Sequence, residues 1–239
     1  MTGWPSGYGL KRFDEIDSTN EEARRLAGAG QRDPVWISAA RQTAGRGRRG
    51  RAWESPAGNL AATLLIAPGK PAAECAQLSF VTAVAAADAV AGFAPGAGIK
   101  VKWPNDVLAD GRKLVGILLE SQSDWLAIGV GINLAHFPMD TAFPATAICA
   151  LGVPAPDRDD ALTQLAAHFA KWYEVWRGEG FSPIRDAWLA RAAGLGSRIR
   201  ARLSNEETAG VFEGIDESGA LILRENGAVR HIAAGEVFF

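Results

Sequence analysis

"IKVKWPNDVLADGRKLVGILLES", residues 99–121, contains two apolar runs separated by Asp110–Gly111. An Asp–Gly pair between apolar runs is the two-residue signature of a tight hairpin, whose central residues need positive φ. The runs are therefore read as adjacent antiparallel strands, and "DWLAIGVGINLA" (124–135) continues the series to three or four. Just before them, Leu78, Val81, Ala85 and Ala89 fall at helical spacing and predict a buried helix over 73–93. A long helix followed by consecutive antiparallel strands predicts an α+β fold with a mixed, mainly antiparallel sheet, not a repeated βαβ alternation.

Working toward the N-terminus, "NLAATLLIA" (59–67) and "VWISAARQ" (35–42) read as buried strands. "DSTNEEARRLAGAG" opens a helix in which Asp17, Ser18 or Thr19 can cap the first free N–H groups and Gly28/Gly30 end it. Toward the C-terminus, Leu162, Leu165, Phe169, Trp172 and Trp176 form the apolar stripe of an amphipathic helix over 158–177, and a further helix covers about 182–193. After "GLG" (194–196) only short strands follow, with turn pairs such as Asn226–Gly227. Two domains are expected, 1–193 and a small β-barrel over 194–239.

With 48% hydrophobic and 22% charged residues in 239, the chain has an ordinary globular balance and enough length for a sizeable core. A net charge of −2 argues against a dedicated nucleic-acid-binding domain. Cys75 and Cys149 lie far apart among small apolar residues and are read as buried free thiols of a reducing compartment. His136, His168 and His231 have no ligand spacing, so no zinc site is read. The N-terminus lacks the apolar core of a signal peptide, and no unbroken apolar run reaches about 18 residues. A cytoplasmic protein without a membrane segment is expected.

Between the strands at 35–42 and 59–67 lies "TAGRGRRGRAW" (43–53), with four arginines on a glycine-rich backbone. Such a loop can be a solvated charged surface, a DNA minor-groove arm or an anion pocket; the glycines expose N–H groups and the guanidiniums supply forked donors. "KVKWPNDVL" then sets Lys102 beside Asn105–Asp106 across a Trp–Pro bend. An ammonium and a carboxylate so close suit a nucleotide with magnesium, although an ordinary β-turn with a surface lysine has the same sequence. Lys113, in an otherwise apolar run, is either an edge gatekeeper or a charge aimed into a pocket, and Gly116 leaves room for a ligand.

Taken together, "STN" (18–20), "RQTAGRGRRGRAW" (41–53), "KWPND" (102–106), "RKLVGILLE" (112–120) and "GVGIN" (129–133) resemble the biotin protein ligases, the biotin–[acetyl-CoA carboxylase] ligase family. The resemblance runs from about residue 13 to the C-terminus. It implies a class II synthetase-like core with a C-terminal SH3-like barrel. It also implies activation of biotin with ATP and Mg2+ to biotinyl-5′-adenylate, then transfer to a lysine of a biotin carboxyl carrier protein.

Carried over residue by residue, the resemblance assigns Ser18, Thr19, Asn20 and Gln42 to the ureido end of biotin. Gly45, Arg46, Gly47 and Arg48 would wrap its carboxylate and the acyl phosphate, with Gly116 leaving space beside them. Lys113, Arg48 and Lys102 would carry the catalytic charge, Lys113 foremost. Arg51, Trp53, Lys102, Asn105, Asp106 and Asn133 would contact the nucleotide, Trp53 by packing on adenine, and Asp106 would hold magnesium. Only 16 residues precede "DSTN", so a form without the helix-turn-helix of bifunctional members, and without specific DNA binding, is expected. Subunit pairing is left open. The rival readings are a related acyl-adenylate ligase for lipoate or another acid, and a nucleic-acid-binding module built on the arginines.

Overall fold

A computed structural model describes residues 3–239 apart from Ser123, Asp140 and Ser204. Seven strands form the main sheet: β1 (Gly9–Ile16), β2 (Val35–Gln42), β3 (Leu60–Ile66), β4 (Ile99–Lys102), β5 (Asp106–Ala109), β6 (Arg112–Gln122) and β7 (Trp125–Ile132). Their spatial order is β1-β2-β3-β7-β6-β5-β4. The hairpin at Asp110–Gly111 joins β5 to β6, with both turn residues at positive φ (48° and 76°). All neighbours are antiparallel except β1 and β2, which run parallel through α1 (Thr19–Gly28).

The sheet is mixed, as expected, but its parallel edge strand β1 was not read from the sequence. In β1 the half-buried residues are Leu10, Phe13 and Ile16, every third position, while Lys11, Arg12, Asp14 and Glu15 face water. An edge strand of this kind lacks the two-residue alternation by which strands are recognised.

Elsewhere alternation separates the two faces cleanly. On the back face, Leu126, Ile128, Val130 and Ile132 of β7 and Val115 and Ile117 of β6 join the main core. That core is covered by α2 (Ala72–Cys75), α3 (Leu78–Phe93), α4 (Arg158–Glu179) and α5 (Ser182–Leu189). By length and composition Ala72–Phe93 is apolar enough to cross a membrane, although Glu74 and Asp88 interrupt the run. Here it forms two core helices, and from Leu78 to Val90 almost every residue of α3 is buried. The α4 stripe is buried at Leu162, Leu165, Phe169 and Trp176, and half-buried Trp172 donates its indole N–H to Asp88 at 2.7 Å. Ending at Leu189, α5 is shorter than read, because the chain then turns and Ala192 bridges to Val101: Val101 N–H donates to Arg191 O and Ala193 N–H to Val101 O. The sheet edge thereby takes the backbone groups that one more helical turn would have used.

The C-terminal part is a five-stranded antiparallel sheet of β8 (Arg198–Arg202), β9 (Glu207–Ile215), β10 (Leu221–Glu225), β11 (Ala228–Ile232) and β12 (Glu236–Phe238), ordered β11-β10-β9-β8-β12. Its inner residues Ile199, Phe212, Leu221, Leu223 and Val237 are continuous with the main core. Phe212 meets Trp188 edge-on, and the Trp103 indole donates to Gly219 O at 3.0 Å. Both cysteines are free thiols, but only Cys75 is buried; Cys149 is exposed, against the expectation that both would be covered.

Candidate active site

The front face of the sheet is bare at its centre. Along β7 the residues opposite the core are Ala127, Gly129 and Gly131, and the register sets Gly131 beside Ala61 of β3 and Gly116 of β6. Gly116 in turn pairs with Asp106 of β5, and Asp106 with Lys102 of β4. One row across five strands thus reads Ala61, Gly131, Gly116, Asp106, Lys102: three positions with little or no side chain, then two charges. The next row carries Ile37, Thr63, Gly129 and Leu118. Over these rows lies a cavity of about 410 Å³, closed by residues 42–54, the loop after β7, and β12.

One end is polar and neutral. Ser18 stands at the N-cap of α1, yet its side chain makes no cap bond. Instead the Gln42 carboxamide oxygen accepts from Thr19 N–H (2.8 Å) and the Thr19 hydroxyl (3.0 Å), while its nitrogen donates to Ser55 Oγ (2.9 Å). A distant glutamine thus does the capping, and Ser18, Thr19 and Asn20 line the cavity. Asn20 leans over Gly129, where a Cβ would lie well inside van der Waals distance of its carboxamide oxygen.

Mid-groove, the indole of Trp53 lies on Gly116 and Gly131. A Cβ at Gly116 would meet Trp53 Cζ3 at 2.7 Å, and one at Gly131 would overlap the ring outright. Trp53 is held through Gly45, whose carbonyl accepts its N–H at 3.0 Å. Gly45 itself has no room for a Cβ against the Trp53 carbonyl, and it is the one expected site residue that does not line the cavity.

The other end is cationic. Lys113 Nζ is 2.7 Å from Asp106 Oδ1, and Lys102 Nζ is 3.6 Å from Asp106 Oδ2. Lys102 is buried between Phe143 and Phe238, 4.4 and 5.9 Å from their ring centroids. Burial pushes its ammonium below the usual lysine range, with Asp106 acting against that shift. Arg48 donates to Asn105 Oδ1 (3.2 Å) and Gly235 O (3.3 Å), and burial likewise lowers its pKa. Lys102, Lys113 and Arg48 surround a single carboxylate, so this end attracts anions.

Magnesium does not fit at Asp106. Both of its oxygens face ammonium groups, and no cluster of three or more His, Cys, Asp or Glu side chains suited to a metal ion occurs among the described residues. Asn133 lines the cavity but its amide nitrogen is used on Thr146 O at 3.0 Å, which pins the covering loop.

The four arginines are not a free solvated run. Arg46 pairs with Glu21 and lies 3.5 Å from Glu120; Arg51 pairs with Glu236, which also lies 4.0 Å from Arg49. Arg46, Gly47, Arg48 and Arg51 all line the cavity. Sequence reading missed Thr63, Glu120, Phe143, Glu236 and Phe238. For Glu120 a signal existed, since it falls two and four residues from Leu118 and Gly116 on the same face. Phe143, Glu236 and Phe238 come from segments with no local mark of a site.

Known proteins resemble this chain in sequence and fold. The profile of the biotin/lipoate A/B protein ligase family matches residues 13–134, and that of the biotin protein ligase C-terminal domain matches residues 194–239. A biotin–[acetyl-CoA-carboxylase] ligase of Paracoccus denitrificans is 48% identical over 93% of this chain and 97% of its own. The bifunctional ligase/repressor BirA of Bacillus subtilis is 35% identical over 97% of this chain and 74% of its own. Among solved structures, the Aquifex aeolicus biotin protein ligase in complex with biotin and ATP superposes with a TM-score of 0.86 at 26% identity, over 96% and 97% of the two chains. A groove that is neutral at one end and cationic at the other, backed by matches along nearly the whole length, makes this chain a member of the biotin protein ligase family.

Proposed function

We propose that the protein joins biotin to ATP, forming biotinyl-5′-adenylate and pyrophosphate, and then transfers the biotinyl group to a lysine of a biotin carboxyl carrier protein. The observation that carries this reading is the row Ala61, Gly131, Gly116, Asp106, Lys102, whose small residues seat the Trp53 indole between a neutral polar end and a cluster of cations. A ureido ring suits the end at Thr19, Asn20 and Gln42, and a carboxylate with phosphates suits the end at Arg48, Lys102 and Lys113.

In the first step a biotin carboxylate oxygen attacks the α-phosphorus of ATP and pyrophosphate leaves. Two unit charges about 4 Å apart repel by roughly 4 kcal/mol at an effective dielectric near 20, a rate factor of about 10³ if unshielded. Lys113, Lys102 and Arg48 offset this repulsion and stabilise the charge that builds in the transition state. Lys113 lies nearest the middle of the groove, 5.5 Å from the Trp53 ring, and is assigned the main share. Trp53, Phe143 and Phe238 offer the flat apolar surfaces for the uncharged parts of biotin and the adenine. In the second step the neutral amine of the acceptor lysine attacks the acyl carbon, AMP leaves, and the amine proton passes to solvent. The free thiols and the use of ATP fit the cytoplasm.

Lipoate is the second reading. Its dithiolane ring would offer no hydrogen bond to the amides at the head end, a poor match for buried polar groups. Incubating the purified protein with ATP, biotin and a carrier domain, then probing with labelled streptavidin, tests the proposal. Label on the carrier that requires ATP is expected. Modification by lipoate with none by biotin would overturn it.

A further inference from the structure

We infer that Glu120 is a positioning residue that fixes the Asn20 carboxamide and ties the head-group end of the groove to Arg46 of the glycine-rich loop; this rests on the biotin-ligase reading above. Glu120 does not line the cavity and touches it only through other side chains. One carboxylate oxygen accepts from Asn20 Nδ2 at 2.6 Å, and the other lies 3.5 Å from Arg46 Nη2. On the far side of the carboxamide, the buried Thr63 hydroxyl lies 2.6 Å from Asn20 Oδ1 and 2.8 Å from Thr19 Oγ1.

An isolated asparagine can flip its amide at little cost. Here a flip would turn Nδ2 toward the Thr63 hydroxyl and Oδ1 toward an anionic carboxylate, so only one orientation survives. With one N–H given to Glu120 and one lone pair taken by Thr63, the carboxamide keeps one donor and one acceptor. Because Asn20 lines the cavity, that donor and acceptor are available to the C=O and N–H of a cyclic urea. Arg46, whose closer partner is Glu21, also reaches this carboxylate, so Glu120 links the head-group site to the loop.

The test compares Glu120→Ala and Glu120→Gln with wild type. Biotin affinity is read by calorimetry, adenylation by KM for biotin and for ATP, and loop closure by the rate at which preformed adenylate escapes. Glu120→Ala is expected to raise the biotin Kd and KM about tenfold, the loss typical of a hydrogen bond to a charged group, with the ATP KM within about twofold of wild type. Glu120→Gln keeps an acceptor for Asn20 and should restore the biotin affinity. Having lost one of the two carboxylate charges beside Arg46, it should still release adenylate faster than wild type. Glu120→Ala and Asn20→Ala together should be no worse for biotin than Asn20→Ala alone. Full additivity of the two, unchanged biotin affinity in Glu120→Ala, or equal losses for biotin and ATP would overturn the assignment. A wild-type protein that bound no biotin would instead refute the ligase reading beneath it.

Discussion

Glycine at 131 is a chemical requirement. Its neighbours in sequence, Val130 and Ile132, are core residues, and only the absence of a Cβ lets the Trp53 ring lie on the strand. Gly131→Ala should therefore fold, displace Trp53 and raise the biotin KM roughly tenfold, given the usual cost of overpacking. Tryptophan emission together with biotin titration would check it. Lys113→Ala should lower adenylation at least ~10²-fold with the fold intact, as for loss of one electrostatic donor from a transition state. Normal turnover in that variant would remove Lys113 from the chemistry. Lys102 makes a separate pH prediction. Burial lowers its pKa, so the charged form is present below that value and lost as pH rises through it. The alkaline limb of kcat/KM for ATP should then lie below the usual lysine range. Lys102→Arg should move the limb upward, because a guanidinium stays charged. An unmoved limb would assign it to another group.

At the scale of elements, the hairpin, the long helices and the buried strands were legible because each is set by its own neighbours: a turn pair, a 3.6 period or a dense apolar run. β1 was not, since an edge strand with three half-buried residues leaves no alternation. The arginine loop was legible as a glycine-rich cationic connection, but the acids that balance its charge were not. Its partners Glu21, Glu120 and Glu236 sit on α1, β6 and β12, and no local pattern joins segments that distant. β12 was read as part of a separate barrel, yet Glu236 and Phe238 line the groove. The stability of the C-terminal sheet should depend on Asp216 in the turn between β9 and β10. Burial acts to raise its pKa, but hydrogen bonds from Ser218, His231 and Ala220 outweigh this and hold it at about 2. A carboxylate depressed in the fold stabilises above its unfolded pKa, and the contribution is lost as pH falls toward about 2. Asp216→Asn should therefore lower Tm at neutral pH, with the gap to wild type closing on acidification. A gap independent of pH would mean that the turn does not rely on the charge.

For the whole molecule, the net charge is −2, and Arg46 and Arg51 of the arginine loop are paired with the chain's own acids. Duplex DNA should bind only weakly and be released at moderate salt, since affinity from phosphate contacts alone falls steeply with ionic strength. Nanomolar, sequence-dependent affinity at physiological salt would contradict that. The most direct measurement for the central claim is isotope exchange between pyrophosphate and ATP by the purified protein, because it reports the first step without a carrier. Exchange that is strictly dependent on biotin, unsupported by lipoate and cut at least ~10²-fold in Lys113→Ala is the result predicted. Exchange that ignores biotin, or that survives intact without Lys113, would contradict the account.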